Sequence, residues 1–316
     1  MGKDREADRV SSVPTTRPLH RLPKDRTFYV RRDYDLVVIG GGAGGLVAAR
    51  EARRHKASVV IVQDGPMGGD CTHTGCVPSK ALLAAAARGE SFREAMAAVH
   101  RAVAHIAATE DAAALHVQGI DVIAGYARFQ TPSTIDVDGT TITSKRFVVA
   151  TGATAMVPPI PGLRELPPLT NETLFSLTTA PTSLAVLGGG PIGCEMAQAF
   201  ARLGTKVTII EALDRLLPRE EPEASAVIAD ALRHDGVAVR VGSKVVTVER
   251  GLDGQTHLHF DGAEPVVAEQ DPRRHRPGPF RTRVRARRDR SRDRPARRHR
   301  RRPHYGDPSR RHLGRG

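Results

Sequence analysis

The sequence predicts an α/β protein built on two doubly wound parallel sheets. Two stretches of the chain share one pattern: an apolar run, a glycine-rich turn and an alanine-rich helix pattern. The first stretch begins at Tyr34, and the second, SLAVLGGGPIGCEMAQAF, repeats the pattern 148 residues later. Strands that alternate with helices are typical of parallel sheets whose two faces are both covered by helices.

In the first stretch, DLVVIG (35–40) predicts a buried strand, GGAGG predicts a tight turn and LVAAREARR predicts a helix. The next predicted strand is SVVIV (58–62). The alanine-rich segment from Lys80 to about Ala114 has helical periodicity, with a break near Gly89. Strands are predicted again in DVIAG, STIDVDG, TITS and RFVVATG.

The second stretch continues through the strand KVTII, and further strands are predicted in VVTVE and HLHF. The chain therefore divides into a leader (1–33), a first domain (34–155), a second domain (156–270) and a basic tail (271–316). Because the leader and the tail are polar and lack periodicity, both are expected to be disordered.

The net charge of +13 is concentrated in the tail. Residues 271–316 contain 19 arginines, 4 aspartates and no lysine, so they carry +15, whereas the rest of the chain sums to −2. A nearly neutral globular part argues against a nucleic-acid-binding fold. The sequence has no apolar run of about 18 residues and no secretory signal pattern, which predicts a cytoplasmic protein.

Two glycine motifs predict phosphate cradles. Each follows an apolar strand and opens a helix, which is the context that a dinucleotide-binding turn requires. The first glycine makes the turn, the second admits the pyrophosphate and the third lets the helix pack on the strand. Two such motifs predict two bound dinucleotides. The motifs are Gly40, Gly42 and Gly45, and then Gly188, Gly190 and Gly193.

An acidic residue about 20 positions after the first glycine is expected to bind the ribose hydroxyls of a dinucleotide. In the second motif Glu211 ends the strand KVTII, and its charge favours NADH by repelling the 2′-phosphate of NADPH. In the first motif the same spacing reaches Gln63, which is followed by Asp64.

The stretch GGDCTHTGCVPSK (68–80) places Cys71 and Cys76 where a loop is expected to enter a helix. A helix N-terminus favours the thiolate, which is the reactive form. Such a pair can cycle between disulfide and dithiol, and a flavin can pass it electrons from a nicotinamide. Cys194, inside the second glycine turn, is expected to be a small packing residue. The three cysteines lack the spacing of a structural zinc site, so no metal site is predicted.

The motifs GGGAGG, GGDCTHTGCVPSK, VVATGATAMVPPIPG and GGGPIGCE, in this order, resemble the pyridine nucleotide-disulfide oxidoreductases. This flavoenzyme family includes dihydrolipoamide dehydrogenase, mercuric reductase and glutathione reductase, and the resemblance covers about residues 34–270. It implies two Rossmann-like domains, with FAD in 34–155 and NAD(P)H in 156–270. It also implies a redox disulfide, a thiol, disulfide or metal-ion substrate, and a homodimer.

The resemblance also assigns roles to single residues. Cys71 would meet the substrate and Cys76 would contact the flavin. Lys80 would lie near flavin N5 and pair with Glu195. Further residues of the FAD site by the same resemblance are Gly69, Asp70, Gly125, Thr151 and Gly152.

Two residues depart from the family pattern. Asp70 stands where the family has a threonine, which places a carboxylate towards the FAD pyrophosphate. His73 stands where an asparagine is common, so either a base beside the disulfide or a solvated histidine is expected. The PSK that follows Cys76 favours the dihydrolipoamide and mercuric reductase branches over glutathione reductase.

The resemblance further predicts that the tail is out of frame. The family continues with a strand ending in ATGR, a later IWAAGD and an interface domain, and residues 271–316 contain none of these. Read one nucleotide later, the codons for 271–279 can spell ILVATGRAP, and those for 305–316 can spell TETPRGGIWAAG. We therefore expect a truncated, largely inactive chain that binds FAD weakly. Sequencing of the gene tests this expectation.

The alternative is an arginine-rich arm that binds nucleic acid or another polyanion. That interpretation requires DNA retention to disappear when residues 271–316 are removed.

Overall fold

The computed structural model describes residues 31–269. The first half of that range forms a six-stranded sheet with the order β3-β2-β1-β6-β5-β4. Its strands are β1 (Asp33–Ile39), β2 (Val59–Gln63), β3 (Ile120–Ala124), β4 (Ala127–Thr131), β5 (Thr134–Val137) and β6 (Thr140–Val149). β3, β2, β1 and the end of β6 run parallel, whereas β4, β5 and the start of β6 form an antiparallel meander.

The second half forms two smaller sheets. The parallel one has the order β7-β8-β9 and the antiparallel one the order β10-β11-β12. The strands of the first are β7 (Ser183–Leu187), β8 (Lys206–Ile210) and β9 (Ala238–Arg240), and those of the second are β10 (Val245–Arg250), β11 (Thr256–Phe260) and β12 (Ala263–Ala268). The predicted α/β class with parallel sheets is therefore confirmed.

Eight helices connect these strands within residues 31–269. They are α1 (Ala43–Arg54), α2 (Gly69–His73), α3 (Cys76–Ala87), α4 (Phe92–Glu110), α5 (Ala112–Val117), α6 (Asn171–Leu174), α7 (Pro191–Arg202) and α8 (Pro222–His234). The expected break near Gly89 separates α3 from α4. Gly89 has a φ of +73°, which favours glycine, and Ser91 then caps α4 in a capping box with Glu94.

Continuous apolar runs become buried strands. Val60 and Ile61 of β2 and Val37 and Val38 of β1 have no exposed surface. Both faces of these strands are covered, as is usual for parallel sheets.

One apolar cluster joins the two predicted domains. Leu82 of α3 and Val99 of α4 share it with Phe200 of α7 and Ile209 of β8, all fully buried. The rings of Phe92 and Phe200 contact each other with centroids 5.9 Å apart. Burial of each large apolar side chain contributes about 1.5–3 kcal/mol, so this cluster fixes α3 against α7.

Besides the other strands at the ends of the sheets, β6 and β7 have an unpaired edge among residues 31–269. Beyond Ser144, β6 pairs with β1 alone, and β7 pairs with β8 alone. Such edges expose backbone groups that can accept another strand.

Residues 1–30 of the predicted leader and residues 270–316, with the predicted frame shift, lie outside the described residues. Within the described range the first strand, β1, begins at Asp33, one residue before the predicted start at Tyr34. Between residues 31 and 269 no helix is long and apolar enough to cross a bilayer.

Candidate functional site

Both glycine motifs lie at the carboxyl ends of parallel strands. Gly40 follows β1 and Gly188 follows β7, with φ angles of +108° and +105°. α1 and α7 then begin with Gly42 and Gly190 as N-caps, and neither helix has a side-chain cap. The first-turn N–H groups of α1, and those that follow Pro191 in α7, therefore remain available for an anion such as a pyrophosphate.

The third glycine of each motif allows close packing of helix on turn. A Cβ on Gly45 would lie 1.9 Å from the carbonyl oxygen of Gly40, and one on Gly193 would lie 2.2 Å from that of Gly188. A Cβ on Gly190 would meet no atom within 4 Å. The third glycine of each motif must therefore lack a side chain so that helix and turn can pack, while space for a ligand remains at the turn. The residues present fit two dinucleotides.

The predicted ribose-binding residues occupy matching positions in the two motifs. The side-chain oxygen of Gln63 accepts a hydrogen bond from the Gly41 N–H at 2.6 Å, and Glu211 accepts one from the Gly189 N–H at 2.7 Å. Glu211 also accepts from the Leu213 N–H at 2.9 Å. Both side chains are therefore held at the rim of their glycine turn, one neutral and the other anionic. Asp64 is exposed next to Gln63.

The thiol segment is attached directly to the first glycine turn. The Gly68 N–H donates to the Gly41 carbonyl at 2.8 Å, and Gly42 and Gly68 form an isolated parallel bridge. A Cβ on Gly69, which has a φ of +58°, would lie 2.8 Å from Gly42 Cα. Cys71 follows two residues later, so the first turn and the thiols form one site.

Other predicted FAD residues border this same turn. A Cβ on Gly40 would lie 2.1 Å from the Ala150 oxygen and 3.1 Å from the Thr151 nitrogen, so the end of β6 closes over the turn. Thr151 and Gly152 are exposed there. The Gly125 N–H donates to the Gln63 carbonyl at 3.0 Å.

The two thiols lie on adjacent helices and are free. Cys71 is half-buried in α2, and Cys76 is exposed at the first position of α3. The hydrogen bond with the Cys76 thiol, burial and the Glu110 carboxylate together raise the pKa of Cys71. The thiolate of Cys71 is therefore disfavoured by these neighbours, in the direction opposite to the one expected from a helix start.

Lys80 and Glu195 connect the thiol helix to the second glycine turn. Lys80 Nζ on α3 lies 2.6 Å from Glu195 Oε1 on α7. The side chains are 61% and 33% exposed, so the ion pair borders solvent. Cys194, which precedes Glu195 in the sequence, is buried, and its thiol donates to the Gly189 carbonyl at 3.4 Å. Burial raises the pKa of Cys194 to about 11. Cys194 is thus a packing residue, as predicted.

The two departures from the family pattern lie at the thiol segment. Asp70 is exposed, and its carboxylate accepts a hydrogen bond from the Thr74 hydroxyl at 3.4 Å. His73 is half-buried, and its Nε2 lies 2.8 Å from the Met67 carbonyl oxygen. His73 therefore fixes the loop before α2. Neither of the two roles expected for it, a base beside the disulfide or a solvated histidine, included this contact.

One contact of the thiol segment had no signal in the sequence. The buried Thr72 hydroxyl donates to Glu110 Oε2 at 2.7 Å. Glu110 ends α4, 38 residues away, and nothing in that helix pattern distinguishes it from a solvated glutamate.

Comparison with known proteins agrees with these features. The sequence model of the pyridine nucleotide-disulphide oxidoreductase family matches residues 34–269. The mercuric reductase of Bacillus cereus is 34% identical over 75% of this chain and 41% of its own length. The dihydrolipoyl dehydrogenase of Acholeplasma laidlawii is 30% identical over 75% of this chain and 76% of its own length.

A solved structure of a flavoprotein disulfide reductase is also similar to this chain. The HOCl-induced flavoprotein disulfide reductase of Escherichia coli superimposes with a TM-score of 0.68 and 32% sequence identity. The match covers 74% of this chain and 54% of that protein. The chain thus spans about half the length of most of these relatives.

Proposed function

The chain belongs to the pyridine nucleotide-disulphide oxidoreductase family, and from this premise we propose the electron route that its residues serve. Electrons pass between NAD(P)H, FAD and a disulfide formed by Cys71 and Cys76, and from there to a substrate. The observation that carries the proposal is the bond from the Gly68 N–H to the Gly41 carbonyl, which attaches the thiol segment to the first glycine turn.

FAD fits the first turn. Gly40, Gly42 and Gly45 would receive its pyrophosphate at the start of α1, and Gln63 would meet its ribose. FAD, when bound, takes a hydride from NAD(P)H and transfers an electron pair to a disulfide. Further contacts to it would come from Asp64, Gly69, Asp70, Gly125, Thr151 and Gly152.

The two thiols are assigned different roles. Cys76 is exposed at the start of α3 and is assigned to the flavin side, while Cys71 is assigned to the substrate. Reduction of their disulfide consumes one NADH and one proton and yields two thiols and NAD⁺. Lys80, which forms an ion pair with Glu195, lies on α3 one helical turn after Cys76.

NADH is the proposed nicotinamide cofactor. Gly188, Gly190 and Gly193 would hold its pyrophosphate. Glu211 already lies at the rim of this turn, where its charge would accept the ribose hydroxyls and repel a 2′-phosphate.

The proposed substrate is a small disulfide or a metal ion such as Hg(II), or a dithiol when the reaction runs in reverse. The matched relatives include a mercuric reductase and a dihydrolipoyl dehydrogenase. The homodimer implied by the family resemblance belongs to full-length relatives with an interface domain, and for this chain only a location in the cytoplasm is proposed.

NADH oxidation by the purified full chain with FAD tests the proposal, with lipoamide and Hg(II) as acceptors. Activity should depend on FAD and on an acceptor. Cys71→Ser and Cys76→Ser should each lower it by at least about 100-fold, since removing one thiol prevents the disulfide. The matched control Cys194→Ser should retain it. Since the sequence predicts a largely inactive chain, the activity is expected to be low. Equal activity in all three cysteine variants would overturn the proposed route through Cys71 and Cys76.

A further inference from the structure

The carboxylate of Glu110 bonds to Thr72 and lies next to Gly68, two residues on opposite sides of Cys71 in the chain. On one side Oε2 accepts the Thr72 hydroxyl at 2.7 Å. On the other side the same oxygen would lie 2.6 Å from a Cβ on Gly68. Gly68 is the residue that bonds to the first glycine turn, so Glu110 connects the last residue of α4 to the attachment point of the thiol segment.

The Thr72 hydroxyl has no access to water that could replace this partner. Thr72 is 2% exposed, and α2, on which it lies, is only five residues long. A buried hydroxyl without a hydrogen bond is costly, and so short a helix has little stability of its own. The bond to Glu110 is therefore a main restraint on the backbone that carries Cys71.

We propose that Glu110 is a positioning residue for the dithiol, which holds α2 through Thr72 and controls how readily Cys71 reacts. The redox meaning of this role rests on the proposed function. The restraint itself and its effect on thiol chemistry do not, because both exist in the chain without cofactors.

The charges around Cys71 support this role. From α3, the Cys76 thiol is the main group that raises the pKa of Cys71, and from α4 Glu110 acts in the same direction. On α2 itself, Asp70 is exposed and bound to a threonine hydroxyl, and His73 is bound to a backbone carbonyl. Since only the thiolate attacks electrophiles, the Glu110 charge should slow Cys71 at neutral pH.

Alkylation by iodoacetamide tests the charge. It is measured from pH 6 to 10 on the reduced full chain carrying Cys76→Ser, so that Cys71 is the accessible thiol. Glu110→Gln keeps an acceptor for Thr72 and removes the charge. This substitution should shift the pH profile of alkylation to lower pH. Alkylation at pH 7.5 should become about threefold faster, which corresponds to lowering the pKa of Cys71 by about half a unit. The matched control, Glu220→Gln at an exposed position in the second half, should not change the profile.

Amide hydrogen exchange tests the restraint. Thr72→Val removes the hydroxyl and keeps the shape, and it should speed exchange across residues 69–73 by about tenfold. Thr72→Ser, which restores the hydroxyl, should exchange like the unmodified chain.

Identical pH profiles for Glu110→Gln and Glu220→Gln would overturn the effect on reactivity. Unchanged exchange in Thr72→Val would overturn the restraint. Neither measurement uses FAD or NADH, so a failure here is distinct from a failure of the proposed electron route.

Discussion

The two glycine turns have the same sequence spacing and backbone angles, yet their surroundings differ. Gly40 and Gly188 have φ angles of +108° and +105°. A Cβ on Gly40 would lie 2.1 Å from the Ala150 oxygen at the end of β6, whereas one on Gly188 would meet no atom within 4 Å. The difference arises because β1 lies between two parallel strands, whereas β7 has β8 alone among residues 31–269. Local sequence sets the turn, and the neighbouring strand sets how much space surrounds it.

The turns also differ in charge. Gln63 and Glu211 make the same hydrogen bond to the middle glycine of their turns, at 2.6 and 2.7 Å. One side chain is neutral and the other is anionic. The same scaffold therefore presents two different electrostatic environments to the two dinucleotides.

The largest effect is expected when a Cβ is added to the first glycine of each turn. Gly40→Ala combines an unfavourable φ with a clash against backbone, so the free energy of unfolding should fall by about 3 kcal/mol or more. Gly188→Ala has the unfavourable φ alone and should cost about 1–2 kcal/mol. Urea unfolding measures both. Equal losses would mean that β6 does not enclose the first turn.

The next largest effect concerns the thiols beside the two turns. Cys194 is buried and its pKa is raised to about 11, whereas Cys76 is exposed. At pH 8, alkylation of Cys194 should be at least about 100-fold slower than that of Cys76, because both thiolate fraction and access are lower. Mass spectrometry of timed samples measures the rates, and urea should make them similar. Similar rates in the folded protein would contradict the burial of Cys194.

A smaller effect should follow from the difference in charge. Glu211→Gln makes the second turn resemble the first and should reduce the preference for NADH over NADPH by about fivefold, since one charge a few ångströms from a phosphate contributes about 1 kcal/mol. Titration with each nucleotide measures the ratio, with Glu220→Gln as the control. An unchanged ratio would show that Glu211 does not select the cofactor.

The smallest effect is expected in acid. The Lys145 ammonium and the hydrogen bonds from Ser58 hold the pKa of Asp35 below its usual range, and this pair joins β1 to β6. The corresponding residue in the second half is Asp235. Burial raises its pKa, but hydrogen bonds from Arg202 and Gln198 lower it by more, so that the pKa is lowered on balance.

A carboxylate with a lowered pKa stabilises the fold above its unfolded pKa of about 4 and loses this contribution as pH falls further. Asp35→Asn and Asp235→Asn should therefore each lower the free energy of unfolding at pH 7, by less than about 1 kcal/mol for Asp235→Asn. The difference from the unmodified chain should disappear as the pH falls towards 2. Thermal unfolding across this range measures it. A deficit that persists at pH 2 would exclude an ionic origin.

Motifs made of local contacts were predictable from the sequence. The glycine turns, the strands that precede them and the residues at the rim follow from spacing alone, because each acts within one strand-turn-helix unit. The pair Lys80 and Glu195 followed from the family resemblance. It could not have been found by spacing, since it joins residues 115 positions apart.

Contacts made by packing were not predictable. The bond of Thr72 to Glu110 depends on how the end of α4 meets α2, which no local pattern encodes. For the same reason the raised pKa of Cys71 was not expected, because it depends on burial and on the neighbouring Cys76 and Glu110. The cluster around Phe200 likewise unites two segments that the sequence presents as separate domains.

The most direct test of the account is a single-turnover thiol count. The full chain is oxidised until Cys71 and Cys76 form a disulfide, and it is then treated anaerobically with NADH, with or without FAD. The account predicts that both thiols become available to iodoacetamide when FAD and NADH are present together, and that neither does with NADH alone. A disulfide that stays intact under both conditions would contradict the claim that the first glycine turn and the thiol segment form one redox site.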